Sequence, residues 1–377
     1  HQDGDGSAVP SRAADRAELL ELAAAVRGHP GTTLEAILPG CLNGFTDEET
    51  ELMGDLSLAA RRPVNWNVLA VSALNPTGHL GQLEASTKAA ERGARVVALT
   101  LPHSMGIRLS FLTGTVLAGL PGWSEVFSLP VPERLVALAD PGVRARLAAG
   151  AQAPEAGVLR HLAAWHRLVI EETFSPRNSC VQGSTVGHVA KRREQDPFET
   201  LLDIVVEDGL RTGLRPPMPA PTPEDWQLRA SVWLDPRAVV GGSDAGAHLD
   251  MMCGAVYSSA LLASVREHKT VTWEQAVRQL SDVPARLYGL VERGRLAPGW
   301  RADMVLFDPD TVAPGPERTV DDLPGGTSRL YAEASGFEHV IVNGVPVVES
   351  GRILGATPGQ LLRSGRDTYT VPTGPGR

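Results

Sequence analysis

A glycine-rich turn, VVGGSDAGAHLDMM at residues 239–252, carries the side chains in this sequence that are best suited to chemistry. An apolar run ends in two glycines, and Ser243, Asp244 and His248 follow. An aspartate there can bind a metal ion through one oxygen and move a proton with the other. A nearby histidine can act as a ligand, stabilise charge or orient the aspartate. The competing interpretation is that Asp244 caps the helix that follows.

The turn follows the last of about five apolar runs that are typical of buried strands. These runs are TTLEAILPG (32–40), PVNWNVLAV (63–71), ARVVALTLP (94–102), RLVIEETF (167–174) and RAVVGGSD (237–244). Helical patterns separate them, such as TDEETELMGDLSLAARR with Thr46 as its cap, so we expect βα units and a parallel sheet. In α/β barrels the catalytic groups follow the carboxyl ends of the strands. The sequence therefore predicts that Asp244 lies at the catalytic edge of such a sheet.

Polar residues near the other strand ends are candidates for substrate binding. Asn65 and Asn67 alternate with Trp66, so on a strand their side chains face the same way. They predict either a remodelled substrate pocket or an incomplete metal site. His79 and His103 lie just past strand ends, and Arg108 could hold a substrate carboxylate with its planar fork. Ordinary solvent exposure is the alternative for these last three.

Near residue 290 the sequence changes from alternating helical and strand patterns to short strands, and this change predicts two domains. Up to that point we expect the α/β barrel portion, 1–290, with helical insertions at about 103–165 and 175–230. Beyond it, 291–377, short strands dominate, and Asn343-Gly344 between apolar runs indicates a hairpin. The second domain is therefore predicted to be a small β-sandwich.

Three segments together resemble a known group of enzymes. DVPARLYGLVERGRLAPGWRADMVLFDPD is similar to the C-terminal signature of the amidohydrolase superfamily, in which the last helix of the barrel leads into a β-sandwich. For this chain the resemblance implies an α/β fold with a partial TIM-type β/α barrel followed by a small β-sandwich. GSDAGAH resembles the motif at the end of the last barrel strand in that superfamily. GSTVGHVAKRREQDPFETLLDIVVED is similar to an insertion of its N-acyl-D-amino-acid deacylase (D-aminoacylase-like) branch. The resemblance covers essentially the whole chain.

The resemblance implies a metal-dependent hydrolase of C–N bonds other than peptide bonds. The substrates that it favours are N-acyl-D-amino acids. It makes Asp244 a metal ligand and the proton shuttle for a metal-bound hydroxide, with Ser243 and His248 beside it. It implies zinc, as one or two divalent ions. An amidohydrolase that acts on a cyclic amide or another C–N bond is the alternative function.

One expected feature of the superfamily is missing from this sequence. No HxH pair occurs among its ten histidines. We therefore expect the remaining metal ligands, and about three barrel strands, upstream of His1 in a longer protein. On that interpretation, this chain alone could be a catalytically incomplete fragment with a role only in binding or assembly.

Composition excludes some classes of partner. The net charge is −9, and no basic block is present, so neither nucleic acid nor an anionic membrane is an expected partner. The apolar runs are shorter than the ~20 residues of a membrane span. Three scattered cysteines, Cys41, Cys180 and Cys253, form no CxxC pair and favour a reducing, cytoplasmic location. The expected partner is an N-acylated small molecule, and homo-oligomers are common in the superfamily.

Overall fold

The computed structural model describes residues 9–73, 75–104, 106–114, 116–243, 245–246 and 249–374. The helices are α1 (Arg16–Ala24), α2 (Gly40–Asn43), α3 (Asp47–Ala60), α4 (Gly78–Glu91), α5 (Ser124–Phe127), α6 (Val131–Ala139), α7 (Pro141–Gln152), α8 (Val186–Arg193), α9 (Pro197–Glu207), α10 (Pro223–Trp233), α11 (Tyr257–His268), α12 (Trp273–Leu280) and α13 (Asp282–Leu287). The strands are β1 (Leu34–Ala36), β2 (Val64–Leu69), β3 (Val96–Thr100), β4 (Val169–Glu172), β5 (Gly213–Arg215), β6 (Ala238–Val240), β7 (Met304–Phe307), β8 (Ala313–Pro314), β9 (Arg318–Leu323), β10 (Thr327–Tyr331), β11 (Ala334–Ser335), β12 (Phe337–Val342), β13 (Val345–Glu349) and β14 (Arg352–Ile353).

The parallel sheet has the order β1-β2-β3-β6. The strands β3 and β6 are buried throughout and almost entirely apolar, as expected where both faces of a sheet are covered. On one face, Trp66 is fully buried in a cluster that includes Met53 of α3 and Leu83 of α4. On the other face, Leu99 and its neighbours on β3 and β6 pack against Leu287 of α13. The predicted parallel sheet is confirmed, and within the described residues it is open, with β1 and β6 at its edges.

Helix α3 begins where the sequence predicts, directly after Thr46. The Thr46 hydroxyl accepts a hydrogen bond of 3.1 Å from the Glu49 amide, and the Glu49 carboxylate accepts one of 2.9 Å from the Thr46 amide. This reciprocal capping box satisfies two amide groups at the start of α3. The local signal in TDEE is therefore sufficient to position the helix that covers the sheet.

The prediction that RLVIEETF is a parallel barrel strand is wrong. β4 pairs antiparallel with β5 in a separate two-stranded sheet. Its end carries two adjacent carboxylates, Glu171 and Glu172, and each is paired with an arginine, Arg215 and Arg108. Two charges on opposite faces do not suit a strand that is covered on both sides. The parallel sheet therefore has four described strands where the sequence predicted five.

The segments predicted as helical insertions form one packed body. Its core is aromatic, with Trp123, Trp165 and Phe198 in mutual contact. Trp123 is fully buried, and its indole N–H donates to the Leu147 carbonyl at 2.9 Å. This body includes α5 to α9 and the β4–β5 pair, and it joins the chain after β3 to the chain before β6.

The C-terminal region is rich in antiparallel strands, as predicted. One sheet has the order β14-β13-β12-β7. Asn343 and Gly344 join β12 to β13 with φ of 48° and 79°, which confirms the predicted two-residue hairpin. The tail then returns across the predicted boundary, where the Thr368 hydroxyl donates to the Gly31 carbonyl at 2.8 Å. The domain limits at residues 290 and 291 stay a prediction.

Among the described residues, none of the helices combines the length and the apolar character needed to cross a membrane.

Candidate active site

The turn after β6 lies across the carboxyl edge of the sheet. Gly242 has φ of 68°, and a Cβ added there would lie 3.1 Å from Leu99 and 3.4 Å from Asn67. Such a φ, and so close an approach to two strands, both favour glycine. The turn therefore crosses β3 toward the end of β2, and it brings Gly242 next to Asn67.

Both ends of this turn are attached to the rest of the protein. The Ser243 carbonyl packs so closely on Gly254 that a Cβ there would lie 1.8 Å away. The Ser243 hydroxyl accepts a hydrogen bond from the Ala245 amide at 3.2 Å. Downstream, the Leu249 carbonyl accepts from Leu330 at 2.6 Å, so the β9–β10 hairpin also holds the turn. Asp244 and His248 lie outside the described residues, and their roles stay predictions.

The two asparagines of β2 lie in different surroundings. Asn65 is fully buried on the face that packs against α13. It lies beside Tyr288, whose hydroxyl pKa is raised, chiefly by burial. Asn67 is half-buried beneath Gly242, at the carboxyl edge. Of the two, Asn67 is therefore the one that lies beside the turn after β6.

A cavity of about 460 Å³ opens at the carboxyl ends of β2 and β3. Its walls are largely apolar, and include Val68, Leu101 and Met218. The polar residues in its lining include His103 and Arg229. A larger cavity of about 660 Å³ lies at the opposite edge, beside Arg95, Val96 and Arg237. Because α/β barrels do their chemistry at the carboxyl edge, the smaller cavity is the better candidate for the active site.

His103 presents a lone pair to its surroundings. Its Nδ1 lies 2.9 Å from the Ser104 carbonyl oxygen, which can only accept. Nδ1 therefore carries the proton, and Nε2 is an acceptor. Nε2 is buried and has no hydrogen-bond partner among the described residues. Burial is the main cause that lowers the pKa of His103, so the neutral imidazole persists at pH 7. Such a nitrogen can take up a proton, accept a hydrogen bond or bind a metal.

Arg229 is a functional candidate that the sequence analysis missed. It lies on α10, is 7% exposed, and donates from Nη2 to the Ser104 hydroxyl at 2.8 Å. Its guanidinium stands 5.0 Å from the ring centre of Trp226. Its Nη1 is buried without a hydrogen-bond partner in the described part of the chain. The sequence signal was its place in PEDWQLRASVW, where Arg229 falls on the same buried side as Ala230 and Trp233.

Two other predicted site residues are placed away from the open cavity. Arg108 is buried and donates to the Glu172 carboxylate at 2.7 Å. The Thr319 hydroxyl donates to the same carboxylate at 2.6 Å, so this pair joins β4 to β9. His79 is buried at the start of α4, facing Asp235, and burial is the main cause that lowers its pKa. Arg108 therefore already has a carboxylate partner within the protein.

The described residues do not fit a complete metal site. No group of three or more His, Cys, Asp or Glu side chains that could hold a metal ion occurs among them. A zinc site normally needs three protein ligands or more. At this cavity the described chain offers the Nε2 of His103 and the Asp225 carboxylate, whose oxygens already accept from the Ala73 and Thr222 amides. The predicted zinc therefore needs donors other than those described.

Comparisons with known proteins point to one family. A sequence profile of an amidohydrolase family matches residues 2–348. N-acyl-D-glutamate deacylase of Alcaligenes xylosoxydans xylosoxydans is 42% identical over 99 residues, which are 26% of this chain and 18% of that protein. N-acyl-D-aspartate deacylase of the same organism is 34% identical over 109 residues, covering 29% and 20% of the two chains. These relatives are the ones that the resemblance to the deacylase branch predicts.

The fold comparison agrees with the sequence comparison. A crystal structure of D-aminoacylase superposes with a TM-score of 0.50 at 19% identity, covering 93% of this chain and 59% of that chain. A second structure of D-aminoacylase, a protein with a binuclear metal centre, gives a TM-score of 0.51 at 19% identity, with the same coverage of each chain. The predicted fold class, an α/β fold of the metal-dependent hydrolase kind followed by a β-rich region, is confirmed at this level. The chain spans less than two thirds of D-aminoacylase and about a fifth of the deacylases named above.

Proposed function

Because the chain belongs to the amidohydrolase family, we propose that it takes part in hydrolysis of a non-peptide C–N bond in an N-acylated small molecule. The observation that carries this proposal is the cavity at the carboxyl ends of β2 and β3, in which apolar walls meet His103 and Arg229. Its volume of about 460 Å³ is in the range of small-molecule sites. The finer part of the proposal, an N-acyl-D-amino acid as substrate, is supported by what the named relatives act on.

Three side chains are given chemical roles in this proposal. Asp244 carries the proton from the attacking water to the leaving amine, a transfer worth roughly 10²–10⁴-fold in rate. His103 accepts a hydrogen bond through Nε2, for which burial keeps the imidazole neutral. Arg229 supplies positive charge at one side of the cavity. Ser243, Asn67 and His248 are proposed to contact the substrate or to orient Asp244.

Zinc remains part of the proposal, with Asp244 as its ligand from this chain. The donors in the described residues do not complete such a site. Metal content is therefore measured together with turnover. A cytoplasmic location and a homo-oligomeric state also remain proposals, supported by the scattered cysteines and by the resemblance to the superfamily.

The test is release of free amine from a panel of N-acetyl-D-amino acids by the full chain, with elemental analysis of the same samples. The panel includes a five-membered and a six-membered cyclic amide, for which ring opening is followed. Asp244→Asn is expected to lower the rate roughly 10²–10⁴-fold. Asp250→Asn is the matched control, since it makes the same substitution in the same loop.

Amine release that depends on Asp244 and not on Asp250 supports the proposal. Turnover of cyclic amides alone replaces the substrate class with the alternative one. A chain that turns over neither class in the presence of zinc contradicts an enzymatic role for this chain and favours the binding or assembly role.

A further inference from the structure

We propose that Arg229 binds the carboxylate of the substrate and sets a preference for N-acylated amino acids over uncharged amides. This inference rests on the proposed function and names the group that the cavity recognises. It starts from the small number of hydrogen-bond acceptors around the buried Arg229 guanidinium in the described part of the protein. A buried cation with too few partners loses hydration without compensation, and a ligand anion can supply what is missing.

The five buried arginines of the described chain show how unusual Arg229 is. They are Arg62, Arg108, Arg134, Arg144 and Arg229. Arg144 and Arg108 pair with carboxylates at 2.7 Å. Arg62 donates to three backbone carbonyls, and Arg134 donates to four. Within the described residues, Arg229 has one hydroxyl as its acceptor.

The carboxylate nearest to Arg229 along its helix is engaged elsewhere. Asp225 lies one turn before Arg229 on α10, where an ion pair between the two would be usual. Its Oδ1 instead accepts from the Ala73 amide at 2.5 Å, and its Oδ2 accepts from the Thr222 amide at 2.9 Å. These hydrogen bonds also lower the pKa of Asp225, so the ionised carboxylate is stabilised by the Ala73 and Thr222 amides at the start of α10. Arg229 and Asp225 therefore line the same cavity without forming an ion pair among the described residues.

The chemistry of the cavity selects a carboxylate. Asp225 also lines the cavity, and its carboxylate oxygens already accept from the Ala73 and Thr222 amides. Arg229 brings a positive charge that suits a ligand carboxylate, and its Nη1 donor lacks a partner among the described residues. His103 does not compete for the anion, because its buried Nε2 is an acceptor. Val68, Leu101 and Met218 line the same cavity and suit an apolar side chain or acyl group. The complementary ligand is therefore an N-acyl amino acid with an apolar side chain.

The test compares three ligands by isothermal titration calorimetry. N-acetyl-D-leucine carries both the acylamino group and the carboxylate, N-acetyl-D-leucinamide lacks the charge, and 4-methylpentanoate lacks the acylamino group. The full chain is used in an Asp244→Asn background, so that turnover does not consume the ligand. We expect the acid to bind on the order of 10- to 100-fold more tightly than the amide, as for charge-assisted hydrogen bonds.

Variants assign the preference to its residue. Arg229→Gln is expected to reduce the ratio of acid to amide affinity to near one, and Arg229→Lys to restore part of it. Arg177→Gln is the matched control, because that guanidinium is 83% exposed and lies on the insertion body. Thermal melting checks that each variant is folded. If Arg229→Gln does not fold, the ratio of acid to amide affinity is compared between the parent chain and Ser104→Ala. A lower ratio in Ser104→Ala supports the Arg229 subsite, and an unchanged ratio contradicts it.

The outcomes separate this inference from the proposed function. Equal binding of acid and amide by the parent chain, or a preference that survives in Arg229→Gln, overturns the Arg229 subsite and leaves the N-acyl proposal standing. If 4-methylpentanoate binds as tightly as N-acetyl-D-leucine and depends on Arg229, the carboxylate subsite stands and the N-acyl proposal falls.

Discussion

Arg108 and Arg229 are both buried arginines in the chain between β3 and β6, and they differ in their partners. Arg108 donates to Glu172, which also accepts from Thr319, so its charge joins the insertion body to the C-terminal hairpin. Arg229 donates to one hydroxyl, that of Ser104, and lines a cavity. The comparison teaches that burial of a cation does not identify its role. Arg108, which is paired with a carboxylate, joins parts of the fold, whereas Arg229, which has no ion pair among the described residues, is the one that we propose binds a ligand.

The largest expected effect is on stability, where the two arginines should differ. Arg108→Gln should lower the free energy of unfolding by about 2–3 kcal/mol, because it leaves Glu172 without its cation. This is less than for a fully buried pair, since the Glu172 side chain is 23% exposed. Arg229→Gln should change it by less than about 1 kcal/mol, because no ion pair is broken. Urea denaturation of both variants measures this, and equal losses would erase the distinction.

A double-mutant cycle isolates the contribution of the Arg108–Glu172 pair. Glu172→Gln alone should also destabilise, because it leaves the buried Arg108 guanidinium with the more distant Glu171 carboxylate at 4.0 Å and weakens the hydrogen bonds from Thr319. The double variant should lose less than the sum of the two single variants, with an interaction energy of about 1–2 kcal/mol. Additive losses would show that Arg108 and Glu172 act independently.

A third expected effect concerns pH. The pKa values of His79 and His103 are lowered in the folded protein, chiefly by burial. The unfolded chain therefore binds more protons below about 6.5, and the free energy of unfolding should fall as the pH drops through that value. Above that pH both imidazoles are neutral in the folded and in the unfolded chain, so neither contributes to the pH dependence of the free energy of unfolding. His103→Gln should flatten the profile measured by denaturation between pH 5 and 7.5, and an unchanged slope would contradict the buried neutral imidazole.

The pKa of His103 should respond to a change of Arg229 and not to a change of Arg108. The positive charge of Arg229 helps to lower the pKa of His103. Arg229→Gln should therefore raise that pKa, and Arg108→Gln should leave it where it is. An NMR titration of the His103 ring measures both. Shifts of equal size in the two variants would mean that Arg229 is not the charge that acts on this site.

The smallest expected effect comes from Ser104. Its hydroxyl accepts from Nη2 of Arg229, and one such hydrogen bond contributes on the order of 1 kcal/mol. Ser104→Ala should therefore weaken binding of N-acetyl-D-leucine by roughly fivefold and leave binding of the amide unchanged. Calorimetry with both ligands checks it. Equal weakening of acid and amide would mean that Ser104 shapes the cavity and does not orient the guanidinium.

Local patterns predicted most of the parallel sheet. Each of the following features was predicted from residues that are close in the sequence, and each is present in the structure: the strands β1, β2, β3 and β6, the Thr46 cap and the Asn343-Gly344 hairpin. RLVIEETF failed because an apolar run of this length does not reveal its strand partner. That partner is β5, and the two charges that exclude β4 from a covered sheet are balanced by arginines distant in the chain.

The site was predictable only in part, for a related reason. His103 was found because it follows a strand end, and that position is a local feature. Arg229 was missed because its distinguishing feature is a buried Nη1 without a hydrogen-bond partner among the described residues. That feature depends on the folded chain, in which Asp225 accepts from Ala73 and Arg229 donates to Ser104. Arg108 was given the role of a carboxylate binder from its residue type, and the fold supplies that carboxylate from Glu172.

The most direct test of the account is a crystal structure of the Asp244→Asn chain with N-acetyl-D-leucine. We predict that the ligand occupies the cavity at the ends of β2 and β3, with its carboxylate within hydrogen-bonding distance of Nη1 of Arg229. A ligand whose carboxylate is bound by another residue, or that occupies a different cavity, would contradict it.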